Sequence, residues 1–364
     1  MTQKVFIIGA TGKVGREVVK QIVENRDGDP SIHTNPTVIV GLASRRSGAL
    51  YSSAGIDGSV ARWFSEGNMK GKRFSNVREL LRRVRDETVF LDLTAGRQEM
   101  LDFHKEVIYH TEHSIVTANK FPLTICDFET FNKLTNSYQR YGFSCSVMAG
   151  AGTIHFLRNC PDLNDGVTKI EGCLSGTLTY INSHLENGET FSNIVREARG
   201  KYTEPHPADD LDGGDVARKT LILARTASLD VKEADMRVTP FIPHSYLTER
   251  NVERFLDRLD SGLDQHLAHR VEVNYRVGKA MRYVGSVSID GGRPTIRVGM
   301  RSVQMEGDLG SLKGTANKVT IWTKMYPEGW TLGPVAGAGN DITARNIRDN
   351  LLDLIRGRKA RTGR

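Results

Sequence analysis

Residues 201–219 place a group of carboxylates next to a lysine. The segment reads KYTEPHPADDLDGGDVARK and carries five acidic residues before Lys219. Apolar residues in its second half have roughly helical spacing, so Asp215 and Lys219, four residues apart, should share one face of a helix. Such a cluster can bind a substrate ammonium while the lysine exchanges a proton with the substrate. The alternative is an exposed ion pair, which contributes about 0.3–0.5 kcal/mol to stability.

The composition is that of a globular protein large enough for two domains. At 364 residues the chain exceeds the usual size of one domain. Its content of 38% hydrophobic and 26% charged residues predicts neither a disordered nor a fibrous chain. No stretch approaches the ~18 apolar residues of a membrane span. The first apolar run, Val5–Ile8, leads into glycines and not into a signal-peptide cleavage site, so it is predicted to be a buried strand.

The charge and the cysteines favour a cytoplasmic protein that does not bind nucleic acid. Much of the net charge of +7 lies in residues 356–364, which we predict to be a basic disordered tail. No basic stripe with interleaved aromatic residues is present. The four cysteines have no Cys-x-x-Cys spacing, which argues against a zinc site and a disulfide framework and favours reduced thiols.

The order of apolar segments predicts an α/β fold with a second, α+β part. Up to about residue 145, short strands alternate with amphipathic helices, which is typical of a parallel, doubly wound sheet of the Rossmann type. Beyond it, helices are followed by strands predicted at Val271–Val277, Tyr283–Asp290 and Thr295–Ser302. The Gly-Gly pair between the last two predicts a tight hairpin.

A glycine-rich turn follows the first predicted strand and opens a helix. It reads Gly-Ala-Thr-Gly-Lys-Val-Gly, a G-x-x-G-x-x-G spacing that lets backbone amides approach a pyrophosphate. The alternative is a simple turn. The candidate cofactor-binding residues in it are Gly9, Thr11, Gly12, Lys13, Val14 and Gly15.

The end of the second predicted strand favours NADP(H) over NAD(H). An acidic residue there would bind the adenosine ribose of NAD, but the chain has Ser44, Arg45 and Arg46. Arginine and serine suit a 2′-phosphate, so NADP(H) is the preferred cofactor and NAD(H) the second choice. The alternative is that both arginines are ordinary surface charges.

Three further segments carry a family resemblance. Val116-Thr117-Ala118-Asn119-Lys120 ends a predicted strand, residues 172–181 join a strand to a helix through small residues, and residues 337–344 precede an amphipathic helix predicted at Ile347–Ile355. Together with residues 201–219, and in this order, they closely resemble homoserine dehydrogenases. Those enzymes interconvert aspartate 4-semialdehyde and homoserine with NAD(P).

The resemblance covers about residues 4–355 and implies a division into parts. These are an NAD(P)-binding Rossmann domain at 1–145, a catalytic and dimerisation α+β domain at 146–335, and a C-terminal segment at 336–355 that packs back on the first domain. It further implies a homodimer. Because the glycine turn begins near the start of the chain and the last segment lies near its end, we expect neither a fused aspartate kinase nor a C-terminal regulatory domain.

The resemblance also implies residue roles. Lys219 matches the family's acid/base lysine, Asp215 its carboxylate partner and Lys120 a lysine near nicotinamide and substrate. The expected substrate-binding residues are Gly176, Thr177, Tyr202, Glu204, Asp210, Asp215 and Lys219. The further expected cofactor-binding residues are Thr94, Ala95, Lys120 and Gly339.

Some positions depart from the family pattern. The loop at 146–154 lacks the family's glutamate and proline, although backbone carbonyls could still bind a sodium ion. A glycine is replaced by Lys201 and an acidic residue by His206, and we expect both side chains to be exposed to solvent. Altered affinity or a related substrate would follow if they line the pocket. The residues implied for the sodium ion are Ser146, Ala149, Ala151 and Thr153.

These assignments lead to a mechanistic hypothesis. Lys219 stabilises the alkoxide that forms on the aldehyde and donates its proton, while Asp215 positions the lysine and Lys120 polarises the same oxygen. Glu204, with Asp210, binds the α-ammonium of the substrate. Two alternatives remain at this point: an NADP-dependent reductase of another small amino-aldehyde or keto acid, and a non-catalytic dinucleotide sensor.

Overall fold

A computed structural model describes residues 2–137 and 139–362 of the chain. The chain divides into two compact units. The first contains the chain up to Ala151 and from Gly339 onward, and the second contains Gly152–Ala338. The expected domain boundaries, at residues 146 and 336, lie a few residues from these positions.

The first unit is a doubly wound sheet, as predicted. Its strands are β1 (Gln3–Ile8), β2 (Thr37–Ser44), β3 (Gly48–Tyr51), β4 (Val89–Asp92), β5 (Ser114–Thr117) and β6 (Tyr141–Gly142). They are ordered β3-β2-β1-β4-β5-β6, and all pairs are parallel except β2 with β3. The helices are α1 (Lys13–Glu24), α2 (Gly58–Ser65), α3 (Val77–Leu81), α4 (Gln98–His110), α5 (Phe121–Thr124) and α6 (Phe128–Thr135). Short 3-10 helices follow at Ser144–Ser146 and Met148–Gly150.

The second unit is α+β, as predicted. Its helices are α7 (Thr153–Asp162), α8 (Gly176–Glu186), α9 (Phe191–Ala198), α10 (Ala208–Leu211), α11 (Gly214–Thr226), α12 (His244–Leu247), α13 (Val252–Asp257) and α14 (Ser261–Arg276), with a 3-10 helix at Glu233–Asp235. Its strands are β7 (Val167–Cys173), β8 (Met236–Val238), β9 (Lys279–Asp290), β10 (Arg293–Gln304), β11 (Ala316–Thr323) and β12 (Trp330–Ala336). The order is β12-β11-β7-β9-β10-β8, antiparallel except for β8 with β10.

The predicted hairpin is confirmed. β9 and β10 pair from Lys279 with Gln304 to Asp290 with Arg293. The two residues between the strands, Gly291 and Gly292, have φ of 57° and 82°. Both values lie in the left-handed region that a two-residue hairpin turn requires and that glycine adopts without strain.

The strand predicted at Val271–Val277 is wrong, because these residues end α14. Their alternating apolar pattern imitates a strand, yet Tyr275 and Val277 are 68% and 63% exposed. Asp260 caps the start of α14, because its side chain accepts the N–H of Leu263. The helix buries Leu263 and Leu267, one helical turn apart.

The last helix, α15 (Asn340–Thr362), belongs to the first unit, as expected of a returning C-terminal helix. Its apolar residues join the core formed by α1 and the sheet. The prediction of a disordered tail at 356–364 is wrong for residues 356–362, because α15 continues to Thr362. Arg358 explains this, because it is 7% exposed and its Nη1 lies 2.6 Å from Oε1 of Glu87. Gly363 and Arg364 lie outside the described residues.

Two further observations concern membrane-spanning helices and the cysteines. None of the described helices combines the length and apolar composition needed to cross a bilayer. The four cysteines are buried. Burial raises the pKa of the Cys145 and Cys173 thiols to about 12, so both are protonated and unreactive at neutral pH.

Arg282 of β9 holds a loop that borders the start of α8. Its side chain is 1% exposed and pairs with Glu186. It also donates hydrogen bonds of 3.1, 2.5 and 3.0 Å to the carbonyl oxygens of Leu309, Gly310 and Leu312. A few residues further on, the Thr315 carbonyl faces Gly176 so closely that a Cβ there would lie 2.8 Å from it.

We expect Arg282→Met to lower the free energy of unfolding by about 3–5 kcal/mol, because it removes one partner of a buried ion pair and leaves carbonyls without donors. Urea denaturation followed by circular dichroism measures the loss. Arg301→Met is the control, since Arg301 lies opposite Arg282 on β10 but its side chain is 40% exposed. The control should lose about 1 kcal/mol or less. Equal losses in both variants would contradict a special role for Arg282.

Candidate functional site

Lys219 lies on α11 with its ammonium largely withdrawn from solvent. Its side chain is 11% exposed, and Nζ lies 2.7 Å from Oδ2 of Asp215, one helical turn earlier. Nζ also donates a 2.8 Å hydrogen bond to the carbonyl oxygen of Leu174, between β7 and α8. An ammonium has three protons, so in the described part of the chain these two acceptors leave one N–H for a ligand. The pair is therefore not the exposed ion pair of the alternative interpretation.

Two glycines allow α11 to begin where it does. Gly213 precedes the helix with φ of 77°, and a Cβ there would lie 1.8 Å from the hydroxyl oxygen of Tyr283. The N–H of Gly214 donates a 2.6 Å hydrogen bond to the side chain of Asp212. Only glycine fits the first position, and this places Asp215 in the first turn of α11.

Asp210 of α10 stands among the other carboxylates. Its Oδ2 accepts the backbone N–H of Glu204 at 2.8 Å. Burial raises the pKa of the Asp210 carboxyl to about 7, and the negative charges of Glu204 and Asp215 contribute to the rise, against the hydrogen bond from the Glu204 backbone. A cation bound in this cluster would favour the charged form of the Asp210 carboxyl.

The segment that carries Glu204 is attached to α8. The hydroxyl of Thr177 donates a hydrogen bond to the carbonyl oxygen of Tyr202. The Tyr202 ring stacks on Tyr180 of the same helix, with centroids 4.6 Å apart. Ser175 caps the start of α8 by accepting the N–H of Leu178, and Gly176 and Thr177 precede that residue in the first turn, where the helix dipole favours an anion.

Within the second unit, the structure thus brings the predicted substrate residues together. Lys201 is exposed, as expected, but His206 is half-buried. Its Nδ1 accepts the backbone N–H of Ala208 at 3.2 Å, and its ring packs against Phe255 at 5.2 Å between centroids. His206 therefore stabilises the start of α10.

In the first unit, the glycine turn is tight enough to explain its glycines. A Cβ on Gly9 would lie 2.6 Å from the Leu93 carbonyl oxygen, and one on Gly15 would lie 2.2 Å from the Gly9 carbonyl oxygen. α1 starts at Lys13 after Gly12, and no side chain caps it. As in any α-helix, the N–H groups of the first turn have no intrahelical acceptors, so the start of α1 suits a pyrophosphate. Thr11 in the turn and Val14 in the helix lie on either side of this position.

The turn after β2 carries the two arginines. Ser44 is buried, and its hydroxyl oxygen accepts the backbone N–H of Ser47 at 3.0 Å. Arg45 and Arg46 are both exposed, and Lys70 donates a 3.3 Å hydrogen bond to the Arg46 carbonyl oxygen. This concentration of positive charge fits a phosphate group. Arg45 also forms an ion pair with Glu99 of α4, which the sequence did not suggest.

A buried polar network lies under the loops after β4 and β5. Asp92, fully buried at the end of β4, accepts hydrogen bonds at Oδ1 from the N–H and hydroxyl of Thr94, at 3.0 and 2.7 Å. Its Oδ2 accepts one from Asn119 at 2.9 Å and lies 3.2 Å from Nε2 of His104. The His104 ring in turn contacts the hydroxyl of Tyr141 at 2.8 Å.

This network joins the loops that carry three of the predicted cofactor residues. Asn119 also donates a 2.8 Å hydrogen bond to the Gly96 carbonyl oxygen, so it joins the loop that carries Thr94 and the exposed Ala95 to the loop that carries Lys120. Lys120 itself is half-buried and precedes α5. Sequence reasoning missed Asp92, His104 and Tyr141, although an aspartate that ends an apolar strand was a usable signal.

The remaining predicted residues lie near the two ends of the second unit's chain. Gly339 has φ of 144°, and its carbonyl oxygen accepts both the N–H and the hydroxyl of Thr343 in α15.

The expected cation ligands Ser146, Ala149, Ala151 and Thr153 lie in one loop. In this loop the Ala149 carbonyl oxygen already accepts a 2.7 Å hydrogen bond from Asn346. No group of three or more His, Cys, Asp or Glu side chains in residues 2–137 and 139–362 is arranged to hold a metal ion. The sodium site stays a prediction.

Relatives resemble the chain over most of its length. A maize chloroplast bifunctional aspartokinase/homoserine dehydrogenase is 28% identical over 97% of this chain and 38% of its own length. The chain thus spans about two fifths of that relative. A crystal structure of a Candida auris protein of unknown function is 27% identical, covers 97% of this chain and 98% of that one, and has a TM-score of 0.81. A hyperthermophilic archaeal homoserine dehydrogenase in complex with NADPH is 21% identical, with a TM-score of 0.73 over 98% of each chain, and shares the fold.

The family match covers the region that holds the carboxylates and the lysine. The family model for homoserine dehydrogenases matches residues 153–352, which is more than half of the chain. It includes α8, α10 and α11 and extends into α15. The chain therefore belongs to the homoserine dehydrogenase family.

Proposed function

We propose that the protein is a homoserine dehydrogenase that interconverts L-aspartate 4-semialdehyde and L-homoserine with NADP(H), and with NAD(H) as second cofactor, in threonine and methionine biosynthesis. The observation that carries the proposal is the ammonium of Lys219, held 2.7 Å from Asp215 and 2.8 Å from the Leu174 carbonyl oxygen beside a cluster of carboxylates. A dinucleotide-binding unit joined to such a cluster suits an oxidoreductase of a small amino-acid aldehyde.

The second unit offers a complementary group for each charged end of the substrate. Glu204 and Asp210 are assigned to the α-ammonium. The first turn of α8, at Gly176 and Thr177, is assigned to the α-carboxylate, because backbone N–H groups point out of a helix N-terminus. Tyr202, attached to Thr177, orders the segment between these groups. Binding both ends orients the aldehyde before the reaction begins.

Lys219 is assigned to the proton transfer. A nicotinamide bound to the first unit would supply the hydride that the aldehyde carbon accepts, and negative charge would then develop on the aldehyde oxygen. The Lys219 ammonium stabilises that oxygen and transfers a proton from Nζ to it, a contribution of about 10²–10⁴-fold when one general acid acts. In the oxidation of homoserine the same Nζ takes the hydroxyl proton. Asp215 orients the amine, and Lys120 is assigned to polarising the carbonyl.

The first unit is assigned to the cofactor. Gly9, Gly12 and Gly15 leave room for the pyrophosphate at the start of α1, and Arg45 and Arg46 suit the 2′-phosphate of NADP(H). Thr94, Ala95 and Gly339 are assigned to the nicotinamide half. We further propose a cytoplasmic homodimer that assembles through the second unit, and a sodium ion bound by backbone carbonyls of residues 146–153.

A direct assay tests the function. Purified protein incubated with homoserine and NADP should show the rise in absorbance of the reduced nicotinamide, more weakly with NAD. Repeating the assay with added sodium or potassium tests whether the activity depends on a monovalent cation. Activity only on another amino-aldehyde would indicate a related reductase. Cofactor binding without turnover of either kind of substrate would indicate a sensor, and both results would contradict the proposal.

We expect Lys219→Ala to lower kcat by about 10²–10⁴-fold, because the general acid is lost. The dissociation constant for NADPH, measured by fluorescence titration, should stay within about twofold of the wild-type value, since Lys219 belongs to the second unit. Lys201→Ala, which removes an exposed lysine of the same segment, is the matched control and should retain turnover. A collapse of cofactor affinity with preserved turnover would contradict the role of Lys219.

The pH dependence of substrate binding should depend on Asp210. Because the pKa of Asp210 is raised to about 7, its carboxyl becomes neutral as the pH falls below 7. Attraction for the substrate ammonium then weakens, and KM for homoserine should rise about tenfold from pH 8 to pH 6. Asp210→Asn should raise KM and remove this dependence. Asp209→Asn, at the exposed neighbouring residue, should leave the profile unchanged; a flat wild-type profile would contradict the assignment.

A further inference from the structure

Glu99 forms an ion pair with the arginine expected to bind the 2′-phosphate. Nη2 of Arg45 contacts Oε2 of Glu99, and the Arg45 side chain is 82% exposed, whereas that of Glu99 is 34% exposed. The two residues are 54 positions apart and lie on different elements, the turn after β2 and the first turn of α4. The fold alone brings them together.

Glu99 is the fixed member of this pair. Its second oxygen, Oε1, accepts the backbone N–H of Val77 at 3.3 Å, at the start of α3. It also lies in the first turn of α4, where the helix dipole favours a negative charge. In contrast, Arg45 has a long and mostly exposed side chain, so it can turn away from Glu99 at little cost.

The position of the pair is set by the strand order. β2 and β4 lie on either side of β1 in the sheet. The turn after β2 and the helix after β4 therefore flank the glycine turn after β1, at the edge where an adenosine half binds in open α/β sheets. The Arg45–Glu99 pair spans this edge.

We propose that Glu99 is a specificity-determining residue that competes with the 2′-phosphate of NADP(H) for Arg45. When NADP(H) binds, Arg45 leaves Glu99 for the phosphate. When NAD(H) binds, Arg45 stays with Glu99, and the site carries less uncompensated positive charge next to the ribose. Glu99 thus reduces the preference for NADP(H). This inference rests on the proposed use of NAD(P).

The expected effect is moderate. Breaking an exposed ion pair shifts an equilibrium by about fivefold at most, and removing a carboxylate that faces a phosphate dianion acts in the same direction. Glu99→Gln should therefore tighten NADPH binding about three- to tenfold and change NADH binding by less than about twofold. The gain should shrink at high ionic strength, since the interactions at this exposed site are screened.

The experiment measures dissociation constants of NADPH and NADH by fluorescence titration of the full chain, without turnover. It compares the wild type with Glu99→Gln, Arg45→Ala and the double variant. In the Arg45→Ala background, Glu99→Gln should lose most of its effect on NADPH, because the coupling runs through the guanidinium. Asp102→Asn is the matched control. This variant removes the Asp102 carboxylate, which accepts a 2.9 Å hydrogen bond from Gln98 on the same helix as Glu99. It should change neither dissociation constant.

Each result decides between the possibilities. Selective tightening of NADPH binding that disappears without Arg45 supports the inference. Unchanged or weaker NADPH binding in Glu99→Gln, equal tightening for both cofactors, or an effect that persists without Arg45 overturns it. If the wild type binds NADPH but Glu99→Gln behaves like the wild type, only this inference falls. If the wild type binds neither cofactor, the proposed function falls with it.

Discussion

An ammonium group withdrawn from water needs oxygen acceptors for its protons, and the second unit meets this need for Lys219 with one carboxylate and one backbone carbonyl. The carboxylate comes from the same helix, one turn earlier, and the carbonyl comes from the turn that ends β7. The amine can occupy this place only if α11 and β7 keep their positions. The glycine before α11, which lies against Tyr283 of β9, sets how closely helix and sheet approach.

The first unit uses a carboxylate in a different way. Asp92 is fully buried, and both of its oxygens accept hydrogen bonds from the loops after β4 and β5. A buried carboxylate that lost these donors would be costly, so the network keeps the two loops joined. In the second unit, Glu204 and Asp215 keep part of their surface exposed to solvent, as the proposed binding of a substrate requires. Burial therefore distinguishes Asp92 from these two carboxylates.

Two features set the charge around the predicted sites of this chain. His206 replaces an expected acid but packs against Phe255, so one negative charge is absent from the segment next to Glu204. Positive charge at the turn after β2 is partly neutralised by Glu99, which comes from another element. Both features affect the charge near a predicted site.

Patterns within one short segment were readable from the sequence: the glycine turn, the hairpin at Gly291 and Gly292, and the Asp215–Lys219 spacing all depend on residues a few positions apart. The doubly wound sheet was readable from the order in which such short strand and helix patterns alternate. Other features depend on packing between distant residues. Residues 271–276 are helical despite their apolar alternation, because they continue a helix that is held in place by its buried residues Leu263 and Leu267. The basic segment is helical up to Thr362, where Arg358 forms an ion pair with Glu87. The pairing of Arg45 with Glu99 and the buried contacts of Asp92 likewise appear only when β1, β2 and β4 lie side by side, because spatial neighbours in a sheet are set by strand order and not by separation along the chain.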